Sequence, residues 1–215
     1  PGSYACHAGN RDNLYWGEDR FTLSFFKVLF RFLNQSRTRY SEGHLPGSRY
    51  FWGDLAKRYI RYARSYTFNE INLFNVSRRI CFTDQSKPFL NYLFISSDAD
   101  NVEEFNRLIQ PKNQEKLERQ GGVCILSTHF GKGFVKSNIV HSDTRYLLKC
   151  LSQRQGWFPT VSQLLDYLTA SGNESKLGFT ERVNLELQWF LHSFKRKMTS
   201  RPYEKSELAY LFPDE

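Results

Sequence analysis

The feature that most constrains the fold of this chain is a short apolar run that ends in a polar cluster. Residues 123–126 follow two glycines and continue directly into Ser127, Thr128 and His129. Four consecutive apolar residues after a glycine pair predict a strand that is buried on both faces. Polar side chains at the carboxyl end of such a strand are typical of α/β active sites. His129 is therefore the first candidate catalytic residue, the alternative being that it only hydrogen-bonds a neighbouring loop.

Helices and strands alternate along the chain with short connections. Helices are predicted over residues 17–35, 102–119 with an interruption at Pro111, 143–153 and 163–168. Ser162 is the expected N-cap of the last of these. Further strands are predicted at residues 65–71, 92–95 and 157–161. This alternation predicts an α/β fold with parallel strands.

The C-terminal part follows a different pattern. A polar stretch at residues 171–176 precedes a helix that starts near Thr180. Its apolar residues share one stripe, which comprises Val183, Leu187, Phe190, Leu191 and Phe194. We therefore expect a domain over residues 1–170 and a helical appendage over residues 171–215 that packs across it.

Charge and composition limit the partners of the chain. The 215 residues carry 30 lysines and arginines against 22 acidic residues, a formal net charge of +8, with concentrations at residues 57–64 and 195–197. Such clusters can meet nucleic acid, an anionic membrane face or an acidic glycan, although solvated helix faces are the commoner explanation. No recognised nucleic-acid motif accompanies them, so we expect no nucleic-acid partner.

Several other classes are disfavoured. The apolar runs are far shorter than the roughly 20 residues needed to span a bilayer, so we expect a soluble chain, cytoplasmic or associated with the cell envelope. The four scattered cysteines contain no CxxC pair, which argues against a disulfide framework or a cysteine-ligated zinc site. The common nucleotide, zinc-protease and serine-hydrolase motifs are missing. Because the chain begins at Pro1 and its one methionine is Met198, we expect a fragment or a processed product.

Segments in the last two thirds of the chain carry a family resemblance. These segments are residues 125–130, 156–161 and 164–168 and the helical stretch 179–197. The first of them contains His129. Together they resemble the C-terminal portion of polysaccharide deacetylase-like proteins of the NodB-homology family. The resemblance implies a partial, distorted (β/α) barrel, truncated at its N-terminus, with a C-terminal accessory helix.

The resemblance also implies a chemistry. In that family an early aspartate and two histidines hold a divalent metal, usually zinc, which polarises the acetyl carbonyl and activates water. A second early aspartate serves as general base, and a late histidine protonates the departing amine. The expected function is thus that of a bacterial hydrolase of carbohydrate metabolism, which acts on C–N bonds other than peptide bonds and removes N- or O-acetyl groups from a glycan.

The chain matches this catalytic pattern only in part. His129 corresponds to the late histidine, and His7 stands at the place of the first metal ligand, the alternative being a surface histidine beside Trp16. Arg11 occupies the place of the second ligand, and a permanently charged guanidinium cannot ligate zinc. The paired aspartates have no counterpart. We therefore expect the chain to bind zinc weakly or not at all.

The remaining candidates are substrate-binding residues. His44 replaces the arginine of the family's Arg-x-Pro loop. Asp98 and Asp100 follow a predicted strand and are expected at the rim that carries His129, unless they cap the helix that begins near Val102. Trp52 and Phe130 are candidate aromatic platforms for a sugar ring, with buried packing as the alternative for each.

Three functions remain open. The first is a carbohydrate deacetylase-like protein, incomplete or degenerate in this chain. The second is a non-catalytic α/β module that binds a glycan or another polyanion. The third is nucleic-acid binding through residues 57–64, which explains the charge but lacks a motif. Bound metal separates the first from the second, and the salt dependence of binding separates both from the third.

Overall fold

The computed structural model describes residues 2–6, 9–33, 41–170 and 176–199. Of residues 197–199 it describes the backbone only. The helices are α1 Ser24–Leu33, α2 Gly53–Tyr59, α3 Val102–Leu108, α4 Pro111–Arg119, α5 Ser142–Ser152, α6 Val161–Ala170 and α7 Phe179–Thr199. The strands are β1 Ser3–Tyr4, β2 Tyr62–Phe68, β3 Cys81–Phe82, β4 Tyr92–Ala99, β5 Leu126–Thr128, β6 Val135–Lys136 and β7 Ile139–Val140. Single 3₁₀ turns span Gly17–Arg20 and Leu73–Asn75.

Five of these strands form one sheet. Its order is β1-β2-β4-β3, and β5 also pairs with β4. β1 runs parallel to β2 and β5 parallel to β4, whereas β3 runs antiparallel to β4. β3 pairs with the first part of β4, and β5 pairs with the last part of β4. The two strands therefore occupy different parts of β4. The fold is therefore mixed α/β with parallel strand pairs, which confirms the predicted α/β class. Partial α/β barrels are one type of fold within this class.

The chain divides into two compact units. The first unit comprises the described residues within Pro1–Tyr66, Arg79–Ile95 and Pro159–Lys195. The second unit comprises the described residues within Thr67–Arg78, Ser96–Phe158 and Arg196–Glu215. The predicted division at residue 170, with a domain before it and an appendage after it, stays a prediction.

Most predicted helices form close to their expected positions. Pro111 opens α4 after a break at residues 109–110, as predicted, since proline lacks the N–H that a continuous helix would use. The prediction of one helix over residues 17–35 is wrong. A 3₁₀ turn ends at Arg20 and Phe21 takes an extended conformation, fully buried, before α1 begins at Ser24.

The strands differ from their predicted bounds more than the helices do. β4 starts at Tyr92 as predicted and runs on to Ala99, while β2 begins three residues before the expected start. β5 spans Leu126–Thr128 rather than residues 123–126, and its residues are only partly buried, so the expectation of a strand buried on both faces is wrong.

Residues 157–161 do not form the predicted strand. The N-cap of α6 is Thr160 rather than Ser162. Thr160 Oγ1 accepts from the Gln163 N–H, and Gln163 Oε1 accepts from the Thr160 N–H at 2.9 Å. This reciprocal capping box holds the residues before α6 in a cap geometry, and Ser162 lies inside the helix.

α7 buries a different face from the predicted stripe. Leu185, Glu186 and Trp189 are buried, whereas Leu187 and Leu191 are exposed. Trp189 packs against the Phe21 ring at 5.2 Å, and the Glu186 carboxylate accepts backbone N–H groups from the segment before α1. Because an acidic residue lies on the buried face of α7, the periodicity of the apolar residues did not identify that face.

The second unit has its own apolar core around α3, α5 and the end of β4. Its fully buried members include Ala99 and Val102, and the cluster also contains Ile71, Phe105, Leu108, Ile109, Phe134 and Leu147. This core supports the carboxyl ends of β4 and β5, where the polar side chains singled out in the sequence lie.

Candidate functional site at the ends of β4 and β5

The carboxyl ends of β4 and β5 lie side by side. The two strands pair in parallel, with Asp98 opposite Ser127 and Ala99 opposite Thr128. His129 follows β5 directly and Asp100 follows β4, and the His129 Nε2 atom lies 3.5 Å from Asp100 Oδ1. The two side chains are 45% and 40% exposed, which leaves the imidazole accessible to a ligand. The structure thus brings Asp98, Asp100 and His129 to one rim.

The turn after β4 is held by a helix cap. Asn101 Oδ1 accepts from the Glu104 N–H at 2.9 Å, and Glu104 Oε2 accepts from the Asp100 N–H at 2.8 Å. Asn101 is therefore the N-cap of α3, and the alternative that Asp98 or Asp100 caps this helix is wrong. Both aspartates keep their carboxylates for side-chain partners.

Ion pairs link these carboxylates to two cations. Arg196 Nη1 lies 2.5 Å from Asp98 Oδ2, and Arg196 Nη2 lies 3.4 Å from Glu104 Oε2. Lys132 Nζ lies 2.7 Å from the same Asp100 oxygen that faces His129. We call this group the strand-end cluster; it consists of Asp98, Asp100, Glu104, His129, Lys132 and Arg196. Its three carboxylates face two permanent cations and one imidazole.

The surrounding charges keep Asp100 ionised. Partial burial alone would raise its pKa, but the hydrogen bond and charge of Lys132, together with Arg196 and His129, lower the pKa below its ordinary value. Asp100 is thus an anion that Lys132 holds in place beside His129. The carboxylate lies close enough to the imidazole to act as its neighbouring anion.

The loop after His129 is anchored on α3. The Lys132 N–H donates to the His129 carbonyl at 2.9 Å, and the Val102 N–H donates to the Lys132 carbonyl at 3.1 Å. Gly133 has a φ of +86°, a left-handed conformation that suits glycine. The turn therefore positions Lys132 to reach back to Asp100.

Phe130 presents its ring to solvent. It is 71% exposed and contacts Phe134 edge-on, with ring centroids 5.1 Å apart. Phe134 is itself buried and packs against Phe105. The interpretation of Phe130 as a buried packing residue is wrong, and an aromatic face next to His129 in the chain is open.

The sequence interpretation missed three members of the strand-end cluster. Lys132 is not among the sequence candidates, although its position three residues after His129 is a usable local signal. Glu104 lies in the first turn of α3, where acidic residues are common. Arg196 is 98 residues away from Asp98 in the chain, and no local pattern joins them.

His44 belongs to the first unit, where it is buried. Its Nδ1 accepts from the Tyr15 N–H at 3.3 Å, its Nε2 lies 3.5 Å from Asp19 Oδ2, and its ring packs on Tyr15 with centroids 4.1 Å apart. Burial lowers the pKa of His44 despite the opposing effect of Asp19. These contacts give His44 a packing role in the loop that carries it.

Trp52 also belongs to the first unit. Its Nε1 donates to the Asp12 carbonyl at 2.6 Å, and its ring meets Tyr4 edge-on at 5.4 Å. Both the polar edge and one side of the indole are engaged by the protein. The packing alternative for Trp52 fits these contacts better than the platform role.

The described residues show only part of the region in which the family resemblance implies a zinc site. His7, the candidate metal ligand, lies outside them. Within residues 2–6, 9–33, 41–170 and 176–199, no three histidine, cysteine, aspartate or glutamate side chains are grouped so as to hold a metal ion. Arg11, at the place of the second ligand, pairs with Glu42 at 2.5 Å. Weak zinc binding stays a prediction.

Two further findings bear on function. None of the helices in the described part of the chain is long and apolar enough to cross a membrane. Comparisons with protein-family models, with curated proteins and with solved structures gave no match to this chain. The strand-end cluster is therefore the feature of the chain from which a function can be inferred.

Proposed function

We propose that this chain is a carbohydrate deacetylase-like protein in which His129 is the general acid. The observation that carries the proposal is the position of His129: it follows β5, is 45% exposed, and faces Asp100 at 3.5 Å. A titratable imidazole oriented by a carboxylate at the carboxyl ends of parallel strands is a common arrangement for proton transfer in α/β proteins.

The proposed reaction requires a proton at the leaving nitrogen. Water adds to the acetyl carbon as the C–N bond of the N-acetyl group breaks, and the amine leaves readily only if it is protonated as it departs. The acetic acid that forms releases its proton to solvent, which restores the proton of the general acid. Histidine suits this step because its ordinary pKa lies close to neutral pH. Asp100 lies 3.5 Å from the imidazole and pairs with Lys132 at 2.7 Å, so a carboxylate is kept beside the ring.

Substrate binding is assigned to the aromatic ring beside the acid. Phe130 is the residue after His129 and most of its ring is exposed. The apolar C–H face of a pyranose packs well on such a ring, and the contact would place an N-acetyl group near the imidazole. No group of three candidate metal ligands is found among the described residues, and only proton delivery and sugar binding are assigned to this chain.

The test is acetate release from an N-acetylated oligosaccharide. His129→Ala should lower kcat by about 10²–10⁴ and remove the titration of an essential acid from the pH profile. The free energy of unfolding should change by less than about 0.5 kcal/mol, because the side chain is half exposed. His192→Ala, a histidine on α7 outside the cluster, is the matched control and should leave kcat unchanged. An unsubstituted protein that releases no acetate, or equal kcat in both variants, would contradict the proposal.

The second candidate is a non-catalytic glycan-binding module. It is favoured by the ion pairs that engage the three carboxylates of the strand-end cluster and by the exposed ring of Phe130. Calorimetric titration with the same oligosaccharide distinguishes the two. Binding without acetate release, weakened roughly tenfold by Phe130→Ala but unaffected by His129→Ala, would favour the module.

A further inference from the structure

The first unit carries an apolar stripe on α1 that no part of the described chain covers. Phe25, Val28 and Phe32 are 69%, 65% and 68% exposed and share one side of the helix by their spacing of three and four residues. The other side is buried: Phe26 stacks on Phe21 with ring centroids 5.8 Å apart. α1 thus has one apolar side for the core and a second apolar side that faces solvent.

α7 adds a second exposed stripe. Leu187, Leu191 and Phe194 are each at least 41% exposed and lie on one side of that helix. The two helices pack on each other through Phe26 and Phe190, whose ring centroids are 6.1 Å apart. We call the two stripes together the exposed apolar face. Single exposed apolar residues are ordinary, but six on two packed helices indicate an interaction surface.

The charges beside this face indicate which partner it meets. α1 contains Lys27 and Arg31 and no acidic residue, and the whole chain has a formal net charge of +8. Arg31 pairs with Glu18 at 2.7 Å, so its charge is balanced within the protein, whereas Lys27 has no ion pair within the described residues. Phe side chains on one side of a helix with cations on its polar side are typical of segments that lie at a membrane interface.

We propose that the exposed apolar face docks the first unit on an anionic membrane surface, with Phe25 and Phe32 inserted at the boundary between headgroups and acyl chains. The ten residues of α1 are about 15 Å long, which is too short to span a bilayer but suits a helix that lies in its plane. Lys27 and the net positive charge of the chain complement lipid phosphates, whereas a purely apolar protein groove would leave Lys27 unmatched. The inference does not depend on the proposed function.

The test is sedimentation of the whole chain with lipid vesicles. The protein should sediment with phosphatidylcholine vesicles that contain about one third phosphatidylglycerol, and much less with pure phosphatidylcholine, because the cations contribute to binding. Equal sedimentation with both, or none with either, would overturn the proposal. Salt should weaken binding to the anionic vesicles.

Matched variants locate the contact. Phe25→Ser combined with Phe32→Ser should lower vesicle binding at least about tenfold, since it removes two inserted rings. Phe179→Ser changes a phenylalanine of similar exposure, 73%, outside the face and should leave binding unchanged. Circular dichroism checks that both variants fold. Equal losses in the two variants would overturn the assignment.

A gain-of-signal variant tests insertion without removing the aromatic ring. In Phe32→Trp the new indole should shift its emission to shorter wavelength on anionic vesicles and be quenched by brominated lipid, relative to the unsubstituted chain. An unshifted, unquenched indole would overturn the proposal. So would a chain that sediments with no vesicle and instead dimerises through Phe25 and Phe32, because the occupant of the face would then be a second copy.

Discussion

In the first unit, Asp84 and Lys87 form an ion pair at 2.6 Å in which both side chains are only 3% exposed. In the second unit, His129 and Asp100 face each other at 3.5 Å with nearly half of each side chain in solvent. The two groups use similar residue types and differ in burial. The comparison indicates which charged groups maintain the fold and which remain accessible for chemistry.

The buried group is fully partnered. We call it the buried ion network; it consists of Thr22, Asp84, Lys87, Arg182 and Glu186. Asp84 accepts from Thr22 Oγ1 at 2.6 Å, from Lys87 and from Arg182 at 2.9 Å. Glu186 accepts from the Thr22 N–H at 2.8 Å. Charges removed from water in this way are tolerated only while every partner stays in place, so the network specifies one packing of the first unit.

The strand-end cluster is held less tightly. Its cations and carboxylates are partly exposed, so water can replace any lost partner at little cost. Such a group contributes little to stability and can change protonation state without unfolding the chain. This difference is why we assign function to the cluster and structure to the network.

The largest effect is expected for Asp84→Ala. Removing this carboxylate leaves Lys87 buried next to Arg182 without its main anion, which should lower the free energy of unfolding by about 3–5 kcal/mol. Urea denaturation measures the change. Asp100→Ala is the matched control and should cost about 1 kcal/mol or less. Equal losses in the free energy of unfolding for Asp84→Ala and Asp100→Ala would contradict the distinction between the buried ion network and the strand-end cluster.

Acid should weaken the buried network specifically. Burial alone would raise the pKa of Asp84, but Lys87, Thr22 and Ser86 outweigh it and lower the pKa well below its ordinary value. A carboxylate with a lowered folded-state pKa contributes stability above its unfolded pKa of about 4, and that contribution is lost as the pH falls towards the folded value.

The measurement is the free energy of unfolding between neutral pH and about pH 3. The unsubstituted protein should lose more stability over this range than Asp84→Asn, which has no carboxylate to protonate at that position. Identical pH dependence in the two proteins would show that Asp84 is not coupled to folding.

A smaller effect is expected for Glu186→Gln. The amide keeps the shape and one acceptor but removes the charge that receives N–H groups from Thr22 and Leu23 and a hydroxyl from Tyr66. The free energy of unfolding should fall by about 1–3 kcal/mol. Gln188→Glu on the same helix provides a control of opposite charge change. An unchanged midpoint in urea for Glu186→Gln would contradict the assigned role.

The smallest effect is expected for Lys132→Ala. Its ion pair with Asp100 is about half exposed, so the free energy of unfolding should change by no more than about 1 kcal/mol. If the strand-end cluster works as proposed, this variant should still lower kcat, because Asp100 is no longer fixed beside His129. A loss of stability above about 2 kcal/mol would instead make the cluster a structural element.

Local patterns predicted much of the secondary structure. Pro111 marked the break between α3 and α4, and the polar cluster after the apolar run placed His129 at a strand end. The register of β5 was shifted because periodicity cannot distinguish which part of a short apolar run enters the ladder. The failed strand at residues 157–161 shows that a reciprocal cap can override β propensity.

The sequence analysis identified three of the six residues of the strand-end cluster. Asp98, Asp100 and His129 were found because residues at the carboxyl ends of neighbouring parallel strands must meet. Arg196 and Glu104 were not found, because an ion pair between distant segments leaves no trace in local composition. His44 is a candidate through its place in the loop that resembles the family's Arg-x-Pro loop, and Trp52 is a candidate as an aromatic residue. The structure gives both of them packing partners.

The sequence by itself determined the α/β class, most helix spans and the strand-end position of His129, because these depend on the spacing of apolar and polar residues over a few turns or strands. Only the tertiary structure decided which charged residues are buried. Arg182 meets Thr22 across 160 residues of sequence, and Glu186 lies on the buried side of α7 because Thr22 and Leu23 offer it backbone donors. Whether a charge stabilises the fold or stays accessible depends on its desolvation and its partners, and both are set by packing between segments that are distant in the chain.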